Sequence, residues 1–385
     1  MRKKRICIVA LRSLPLFDHA YDSEHVMGGA EINMYHLAVF FSKNENVEVK
    51  VLVNDFGQPP VYRIGNITLI RYGGSRNGKS LAATIVDKIA SEMRLFFISA
   101  DSFIFTTGNP MLGKLVILQQ KLRGKRVLFR LSSDLNTDLG NYKKNNSRID
   151  YLLYKYGIMH ASIRVCQSFQ QKSLLKSRLG LESEVIGNGF EMNENICTDQ
   201  KKHILWVGRC MKSKRPLLFT ELARDMPGEE FVMIMPLNKE IPAEELKERR
   251  AMADEVYACA SGLGNLTLLD YVPYDEIQHY FDRAKCYVCT SDTEGFPNTF
   301  IQAALGAAPI LSYRINPDSM IEEYKLGYVC NDDTEAAVKF LREIDNEKLR
   351  EYKYNMQSYV WQHHNIKDTA EQYMKLMQRG HGNAK

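Results

Sequence analysis

The chain has 385 residues, of which 45% are hydrophobic and 25% charged, and its 51 Lys and Arg against 46 Asp and Glu give a net charge of +5. This composition is typical of a globular protein and excludes a disordered or fibrous chain. At roughly 100–200 residues per domain, the length favours two domains. The charge is divided unevenly: residues 1–190 hold 27 basic and 15 acidic residues and carry +12, whereas residues 191–385 carry −7.

The apolar runs and the cysteines exclude several protein classes. No apolar run approaches the roughly 20 residues of a membrane-spanning helix. Residues 6–11 are too few for a signal-peptide core and instead predict a buried first strand. The eight cysteines are spread too widely for a disulfide framework. Cys286 and Cys289 lack a second cysteine pair or a histidine pair to complete a zinc site, so we expect buried strand residues in a reducing cytoplasm.

Short β-rich runs alternate with helical periodicity through the first half of the chain. Strands are predicted at 6–10, 47–53, 67–72, 102–105, 126–131, 163–166 and 184–186. Helices are predicted at 30–41, 81–97, 112–122 and 169–179. Such alternation predicts a parallel sheet that helices cover on both faces.

The alternation stops at the turn-rich stretch 187–202 and then starts again. Strands are predicted at 203–207, 230–235, 266–269, 286–289, 309–311 and 328–330, and helices at 216–225, 242–259, 274–284 and 298–305. We therefore expect an α/β protein with two doubly wound, Rossmann-like domains, 1–190 and 200–365, and a C-terminal helix within 366–385 that packs back toward the first. Ligands of such sheets bind beyond the carboxyl ends of the strands, so two facing sheets would form a central cleft.

The first segment with candidate chemistry follows the strand at 203–207. Gly208 permits a tight turn, and Arg209 and Lys214 follow before a helix that Pro216 begins. Arg offers phosphate a forked contact and Lys a point charge. The competing interpretation is that these basic residues are simply exposed to solvent ahead of the helix and bind no ligand.

The second segment follows the strand at 286–289. A polar loop containing Glu294 and Gly295 leads through Pro297 into a helix, whose free N–H groups near residues 298–300 suit an anion such as a diphosphate. Glu294 can accept hydrogen bonds from sugar hydroxyls, or it can simply balance the helix dipole. Gln302 lies about one turn into this helix.

A third segment, Gly28 and Gly29, opens the first predicted helix. Paired glycines at a helix start allow a ligand to approach the backbone, although such a pair also marks an ordinary tight turn.

In this order and at these spacings, the three segments resemble the GT-B glycosyltransferases of the large retaining family 4, also called the group 1 type. Gly28, Gly29, Ala30 and Glu31 are similar to the family's glycine loop, and Gly208 and Arg209 with Lys214 to its diphosphate-binding pair. Residues 294–297 resemble the start of its signature of two glutamates, and residues 165–189 its run into the hinge. The likeness covers nearly the whole chain.

The resemblance implies a metal-independent retaining hexosyltransferase, in enzyme class 2.4, that uses a UDP- or GDP-sugar and no cofactor. Arg209 and Lys214 would neutralise the donor diphosphate, Glu294 would hold sugar hydroxyls, and Gly29 would face the donor phosphates. The other implied donor-binding residues are Gly28, Gly208, Tyr271, Val272, Gly295, Phe296, Pro297, Asn298, Thr299 and Gln302. Catalysis would then rest on positioning and charge stabilisation.

Three departures from the family pattern stand out. Gln302 occupies the position of the second glutamate, which would hold the ribose, so donor affinity or nucleotide choice can differ. Ser133 stands where a histidine is expected, and Asp134 is a substitute catalytic candidate, with helix capping or loop bonding as the competing role. Asn316 followed by Pro317 replaces a glycine pair and predicts a helix cap.

No metal site or nucleic-acid partner is expected. The sequence contains no Asp-x-Asp pair after a strand, and we expect His363 and His364 to lie on a solvated helix face. No recognised nucleic-acid-binding motif is present. A phosphorylase would need a pyridoxal-phosphate lysine, for which no segment is a candidate.

Two functions remain open. The first is transfer of a sugar to a lipid-linked or polysaccharide acceptor, by a cytoplasmic protein that can contact the inner face of the membrane. The second is a catalytically weak nucleotide-sugar-binding partner of another transferase. Residues 79–97 bear on the first, because Leu81, Ile85, Ile89 and Met93 recur at helical spacing beside basic residues. That stripe fits a core-facing helix or a helix resting on an anionic membrane.

Overall fold

The computed structural model describes residues 3–21, 27–73, 81–192, 200–237 and 243–378; within the helix that begins at Leu81, side chains are described from Thr84 onward. Its residues divide into two compact units. Unit 1 combines the chain up to Phe190 with the segment from Ile366, and unit 2 contains residues 191–365.

Unit 1 is built on a mainly parallel sheet. Its strands are β1 (Lys4–Val9), β2 (Val47–Val53), β3 (Val61–Ile64), β4 (Ile67–Arg71), β5 (Ser102–Thr106), β6 (Arg126–Arg130), β7 (Ile163–Cys166) and β8 (Glu184–Val185). Their order is β3-β4-β2-β1-β5-β6-β7-β8, and among these described strands only β3 is antiparallel to its neighbour. Its helices up to Phe190 are α1 (Leu14–Phe17), α2 (Gly29–Ser42), α3 (Leu81–Phe97), α4 (Met111–Leu115), α5 (Leu139–Asn145), α6 (Arg148–His160) and α7 (Phe169–Leu179).

Unit 2 contains a parallel sheet of similar design. Its strands are β9 (His203–Val207), β10 (Glu230–Ile234), β11 (Leu266–Leu269), β12 (Ala284–Cys289), β13 (Ile310–Ser312) and β14 (Gly327–Val329), in the order β11-β10-β9-β12-β13-β14. Its helices are α8 (Pro216–Asp225), α9 (Ala243–Ser261), α10 (Tyr274–Arg283), α11 (Asn298–Leu305), α12 (Met320–Glu323), α13 (Thr334–Arg342) and α14 (Asn346–His363). Because β9 and β12 are hydrogen-bonded neighbours, the loops after them leave the same edge side by side.

The last described helix, α15 (Ile366–Gln378), belongs to unit 1 and packs on α2. Tyr373 is buried in the same apolar cluster as β1 and β2. At the start of α15, the Ile366 N–H donates to the Phe190 carbonyl at 3.0 Å. A Cβ on Gly189 would lie 2.9 Å from the Ile366 Cα, so the chain passes α15 too closely for a side chain there.

Both faces of the unit 1 sheet are covered, as the strand composition predicts. Along β1, Ile6 and Ile8 enter one apolar cluster and Cys7 and Val9 enter the other. Alternate residues of a strand point to opposite faces, so a strand buried on both sides must be apolar throughout. The prediction of a buried first strand and of an α/β fold with two parallel sheets is thus confirmed.

The structure also contains elements that the periodicity did not indicate. The antiparallel strand β3 and the helices α5, α6, α13 and α14 lie outside the predicted set. Beyond α4, the backbone continues as a π-helix over Val116–Lys121, within the predicted helix at 112–122. Helix α6 passes α4 at two glycines: a Cβ on Gly157 would lie 2.7 Å from the Gly113 backbone nitrogen.

Candidate functional site

The loop after β9 is shaped by a tryptophan. A Cβ on Gly208 would lie 2.9 Å from the Trp206 ring, so glycine allows the chain to turn over the buried indole. A 3₁₀ turn over Lys212–Lys214 follows, and Pro216 then occupies the first position of α8. The structure therefore brings Gly208, Arg209 and Lys214 to the carboxyl edge of unit 2.

The loop after β12 lies beside it and ends at the start of α11. Pro297 occupies the cap position of that helix and supplies no side-chain cap, while its carbonyl accepts the Phe300 N–H at 3.1 Å. The Thr299 hydroxyl accepts a hydrogen bond from the buried Tyr287 at 2.9 Å. Phe296 is buried with its ring centroid 5.0 Å from that of His364. Gly295, Pro297 and Asn298 complete the predicted segment.

Thr290 joins these two loops. This fully buried residue accepts the Trp206 indole N–H at 2.9 Å and donates its hydroxyl to the Lys214 carbonyl at 2.5 Å. Its own carbonyl accepts from the Arg215 Nε at 2.7 Å. The Asp292 N–H adds a bond to the Ser213 carbonyl at 2.8 Å. The relative position of the loops is therefore set by a buried hydroxyl.

The joined loops place two of the predicted site residues in contact. The Lys214 ammonium forms an ion pair with Glu294, which also accepts from the Ser291 hydroxyl at 2.9 Å. Both ion-pair side chains are about one-fifth exposed, so each can still reach a ligand. A cation suited to a phosphate and a carboxylate suited to sugar hydroxyls thus lie together.

Arg215 follows Arg209 and Lys214 in the same loop, but its side chain forms ion pairs with other loops. The sequence did not reveal this role. Arg215 adopts a left-handed backbone with φ of 45°, and it binds Asp332 at 2.7 Å and Asp292 at 3.2 Å. Arg314 binds both carboxylates too, with 2.9 Å to Asp292. This four-residue ion cluster joins the loops after β9, β12, β13 and β14. Its members come from distant segments, so no local pattern could have indicated it.

The remaining unit 2 candidates surround this edge at greater distance. Gln302 is buried in α11, and its backbone carbonyl accepts from the Gln278 amide at 3.1 Å. Tyr271 and Val272 follow β11, which is separated from β9 by β10. The Asn316 side chain accepts the Ile321 N–H at 3.0 Å, so the predicted cap serves α12 and not the turn that Pro317 begins.

Unit 1 carries the other candidates on separate loops. Gly28 caps α2, whose first residue is Gly29, so the glycine pair opens this helix as predicted. A Cβ on Gly28 would lie 2.6 Å from the Glu31 carboxylate, the far end of a flexible side chain. Close packing therefore does not require glycine at Gly28.

Asp134 follows β6, in the first turn of a 3₁₀ helix that ends at Thr137. The cap is Ser133, whose hydroxyl accepts the Leu135 N–H at 3.2 Å. The Asp134 carboxylate accepts instead from the fully buried Gln171 amide at 3.1 Å. This contact supports the loop-bonding role for Asp134 without excluding a second one.

Just before this loop, β6 ends in a buried arginine that the sequence did not single out. Arg130 is 1% exposed and donates to the Asn188 side chain. Burial lowers the pKa of its guanidinium, since the charged form loses hydration. Among the described residues, none accepts a hydrogen bond from its Nη1, although the nearby Tyr373 hydroxyl favours the charged form.

The prediction for the two cysteines of β12 is confirmed, whereas the prediction for one of the two adjacent histidines is wrong. Cys286 and Cys289 are free, buried residues of β12, as predicted, and burial raises the pKa of the Cys289 thiol to about 11. The expectation for His364 was wrong: it is 2% exposed, with Nε2 3.1 Å from the Tyr359 hydroxyl, whereas its neighbour His363 is exposed. In the described parts of the chain, no cluster of three or more His, Cys, Asp or Glu could hold a metal ion.

A family model described as Glycosyl transferases group 1 matches residues 201–346, which include every unit 2 candidate. Comparison with curated protein sequences finds no match.

Solved structures share the fold over nearly the whole chain. One is a sucrose-phosphate synthase from Thermosynechococcus elongatus, with 16% identity and a TM-score of 0.77, covering 98% of this chain and 99% of that one. Another, from E. coli, is described as trehalose-6-phosphate bound with UDP-2-fluoro glucose (12%, TM-score 0.69, 98% and 99%). A third is Anabaena HepE in complex with UDP-glucose (14%, TM-score 0.69, 97% and 99%). The chain therefore has the GT-B fold, and its residues 201–346 match the family model of the group 1 glycosyltransferases.

Proposed function

We propose that this protein transfers a sugar from a nucleotide-sugar donor, with retention of anomeric configuration, to a lipid-linked or polysaccharide acceptor. The observation that carries the proposal is the junction of Lys214, Glu294 and the α11 N-terminus at neighbouring strand ends. It supplies cationic, anionic and N–H donor groups within a matched group 1 domain.

The donor diphosphate would bind between Arg209, Lys214 and the first N–H groups of α11. A phosphate would compete with Glu294 for the Lys214 ammonium, and Glu294 would then accept hydrogen bonds from the donor sugar. Cleavage of the bond between the anomeric carbon and the diphosphate oxygen leaves charge on the diphosphate, which these cations stabilise. The acceptor hydroxyl attacks from the face that the diphosphate leaves and passes its proton to the departing oxygen.

We propose further that the reaction requires neither a metal nor a resident cofactor, because two side-chain cations can neutralise the leaving group. UDP-sugars are the first donors to test, since two GT-B neighbours are complexes with UDP-2-fluoro glucose and UDP-glucose. Gln302, an amide at the proposed ribose position, would bind hydroxyls without charge. Gly28, Gly29 and Asp134 stay predictions for unit 1.

A peripheral position on the cytoplasmic membrane face belongs to the same proposal, because the acceptor would be lipid-linked. Over the described residues, no helix is long and apolar enough to cross a bilayer.

The test measures binding and transfer with UDP-, GDP-, ADP- and CMP-sugars for the wild-type chain and for Arg209→Ala and Lys214→Ala. We expect transfer to fall by about 100-fold or more in each. Lys212→Ala is the matched control, since Lys212 is exposed on the same 3₁₀ turn and should keep full activity. EDTA should leave the rate unchanged. Full activity in both site variants would overturn the diphosphate assignment.

The same panel tests the second candidate, a nucleotide-sugar-binding partner with little catalysis. The observation that favours it is Gln302 at the position of the second glutamate. Donor binding without transfer or slow hydrolysis, in both the wild type and Gln302→Glu, would support the partner role. Transfer restored by Gln302→Glu would support a weakened enzyme.

A further inference from the structure

Helix α3 presents an apolar face to solvent. Ile85, Val86, Ile89, Met93 and Phe97 are each between 52% and 67% exposed. At 100° per residue they span about one-third of the helix circumference, opposite the buried Ser91 and Leu95. This overturns the core-facing interpretation for the described part of the stripe; Lys79 and the Leu81 side chain lie outside the described residues. Five large apolar side chains on one helix face are more than scattered surface residues.

The adjoining π-helix extends this face. A groove of about 450 Å³ runs between α3 and Leu118, with Ile89, Met93 and Phe97 among its walls. Leu122, four residues after Leu118, is 65% exposed, and Ile117 is also exposed. We define the α3 face as these exposed and groove-lining apolar residues: Ile85, Val86, Ile89, Met93, Phe97, Ile117, Leu118 and Leu122.

The charges around the α3 face are mainly positive. Residues 81–98 and 114–125 contain six Lys and Arg but only two carboxylates. Two of the six cations are paired, Lys114 with Glu92 and Lys125 with Asp101 at 3.9 Å. Lys88 and Lys121 are exposed, and the Arg123 guanidinium lies 5.4 Å from the Phe96 ring centroid. An apolar face with basic flanks matches a bilayer surface, where acyl chains lie below negatively charged headgroups.

We propose that the α3 face docks on a bilayer that contains anionic phospholipid. The inference deepens the proposed function, on which it rests, by naming the surface that would bring unit 1 to a lipid-linked acceptor. The positive charge around the α3 face favours an anionic bilayer over a second copy of the chain as its occupant. Two copies meeting through this face would bring like charges together, whereas anionic headgroups oppose them.

The experiment is sedimentation of the full chain, without donor, with phosphatidylcholine vesicles and with vesicles containing 30% phosphatidylglycerol. We expect binding to the anionic vesicles that falls as salt is raised, since salt screens the headgroup attraction. The double variant Ile89→Asp, Met93→Asp should lose at least tenfold in binding. The neutral pair Ile89→Asn, Met93→Gln should also lose binding, which separates apolar insertion from added charge.

Tyr354→Asp with Trp361→Asp is the matched control, because both side chains are exposed on α14 and the charge change is the same. It should bind like the wild type. Circular dichroism must show that every variant is folded. No wild-type binding to anionic vesicles, or equal binding by the α3 and α14 variants, overturns the proposal. So does a wild-type dimer that the α3 variant converts to monomer, because the occupant is then a second copy.

The vesicle assay is independent of the donor site. Loss of vesicle binding in Lys88→Gln, Lys121→Gln with donor hydrolysis intact would support the membrane role alone. Vesicle binding in a protein that binds no nucleotide sugar would overturn the proposed function and leave the docking surface standing.

Discussion

The two sheets fasten the loops at their carboxyl edges in different ways. In unit 2, the edge is tied by charged groups that retain some exposure, namely the Lys214–Glu294 pair and the cluster around Arg215. In unit 1, the edge near β6 is tied by two hydrogen bonds that each involve a buried side chain: Arg130 donates to Asn188, and Gln171 donates to the half-buried Asp134. The unit 2 edge thus combines the buried Thr290 hydroxyl with partly exposed ion pairs, whereas the contacts near β6 in unit 1 depend on the buried Arg130 and Gln171.

This contrast bears on how each unit can respond to a ligand. A partly exposed ion pair contributes little net stability, so an anionic ligand can replace one partner at low cost. A buried hydrogen bond cannot be broken so cheaply, because the groups left behind are unsolvated. We therefore expect donor binding to rearrange side chains in unit 2 and to leave the unit 1 edge unchanged.

The tryptophans allow the units to be followed separately. The chain has two, Trp206 and Trp361, and both belong to unit 2. Tryptophan fluorescence then reports unit 2 alone, whereas far-UV circular dichroism reports both units. Following unfolding with both signals also avoids fitting a chain of two units with a single two-state transition.

The largest effect should come from Asn188→Ala. The variant removes the described hydrogen-bond partner of a buried guanidinium, so we expect unit 1 to lose about 2–3 kcal/mol of unfolding free energy. Denaturant titration by circular dichroism measures the loss, and the fluorescence transition should not move. Asn145→Ala, at an exposed asparagine of α5, is the control. In an Arg130→Met background, removing Asn188 should cost much less; an undiminished loss there would contradict the role assigned to the buried charge.

Thr290→Val should have the next largest effect, in unit 2. It leaves the Trp206 indole N–H and the Lys214 carbonyl without their partner, so we expect a loss of about 1–2 kcal/mol in the fluorescence transition. Donor KM should rise because Lys214 is no longer held. Thr293→Val, exposed in the same loop, should change neither quantity. A normal KM in Thr290→Val would show that the hydroxyl does not position the site.

Arg314→Gln should have a small and salt-sensitive effect. Half of the Arg314 side chain is exposed, so its ion pairs are worth about 0–1 kcal/mol. We expect the difference from wild type to vanish in 1 M NaCl, where the Debye length is about 3 Å. A loss of unfolding free energy above about 2 kcal/mol, or one that persists in 1 M NaCl, would show that the ion cluster stabilises unit 2 as strongly as the buried contacts stabilise unit 1.

The smallest expected effect is a pH slope in unit 2. Burial lowers the pKa of His203, at the start of β9, below its usual 6.5. The unfolded chain then binds a proton first as pH falls, so the unfolding free energy should decrease below pH 6.5 until the folded pKa is passed. The pKa of His363 is lowered too, so His203→Gln should flatten the fluorescence-detected slope in part and His203→Gln with His363→Gln should flatten it further. If the pH dependence of the unfolding free energy is unaltered in both variants, groups other than these two histidines cause the acid sensitivity of unit 2.

The sequence predicted those features that depend on neighbouring residues. The bounds of α8, 216–225, and of α11, 298–305, were predicted correctly, because Pro216 and Pro297 mark the starts of those helices. The loops that carry Arg209, Lys214 and Glu294 followed from strand ends alone. The assignment of these residues to a donor site stays a prediction.

Features that depend on distant partners could not be predicted. Arg215 pairs with Asp332, 117 residues away, and Thr290 bonds Trp206 across 84 residues. Likewise, the helical spacing of Ile85, Ile89 and Met93 describes a buried face and an exposed face equally well. Only the position of α3 on the sheet decides which one it is. His364 was misjudged for the same reason, since its burial depends on Tyr359 and Phe296.

The return of α15 to unit 1 fixes the order in which the protein can be completed during synthesis. Ile366, Ala370 and Tyr373 are part of the apolar cluster beneath α2, yet all of unit 2 is translated before them. At about 5–20 residues per second, the nascent first unit must wait roughly 10–35 s for the helix that closes it. Until α15 is made, the first unit leaves part of this apolar cluster uncovered, and a chaperone can bind there.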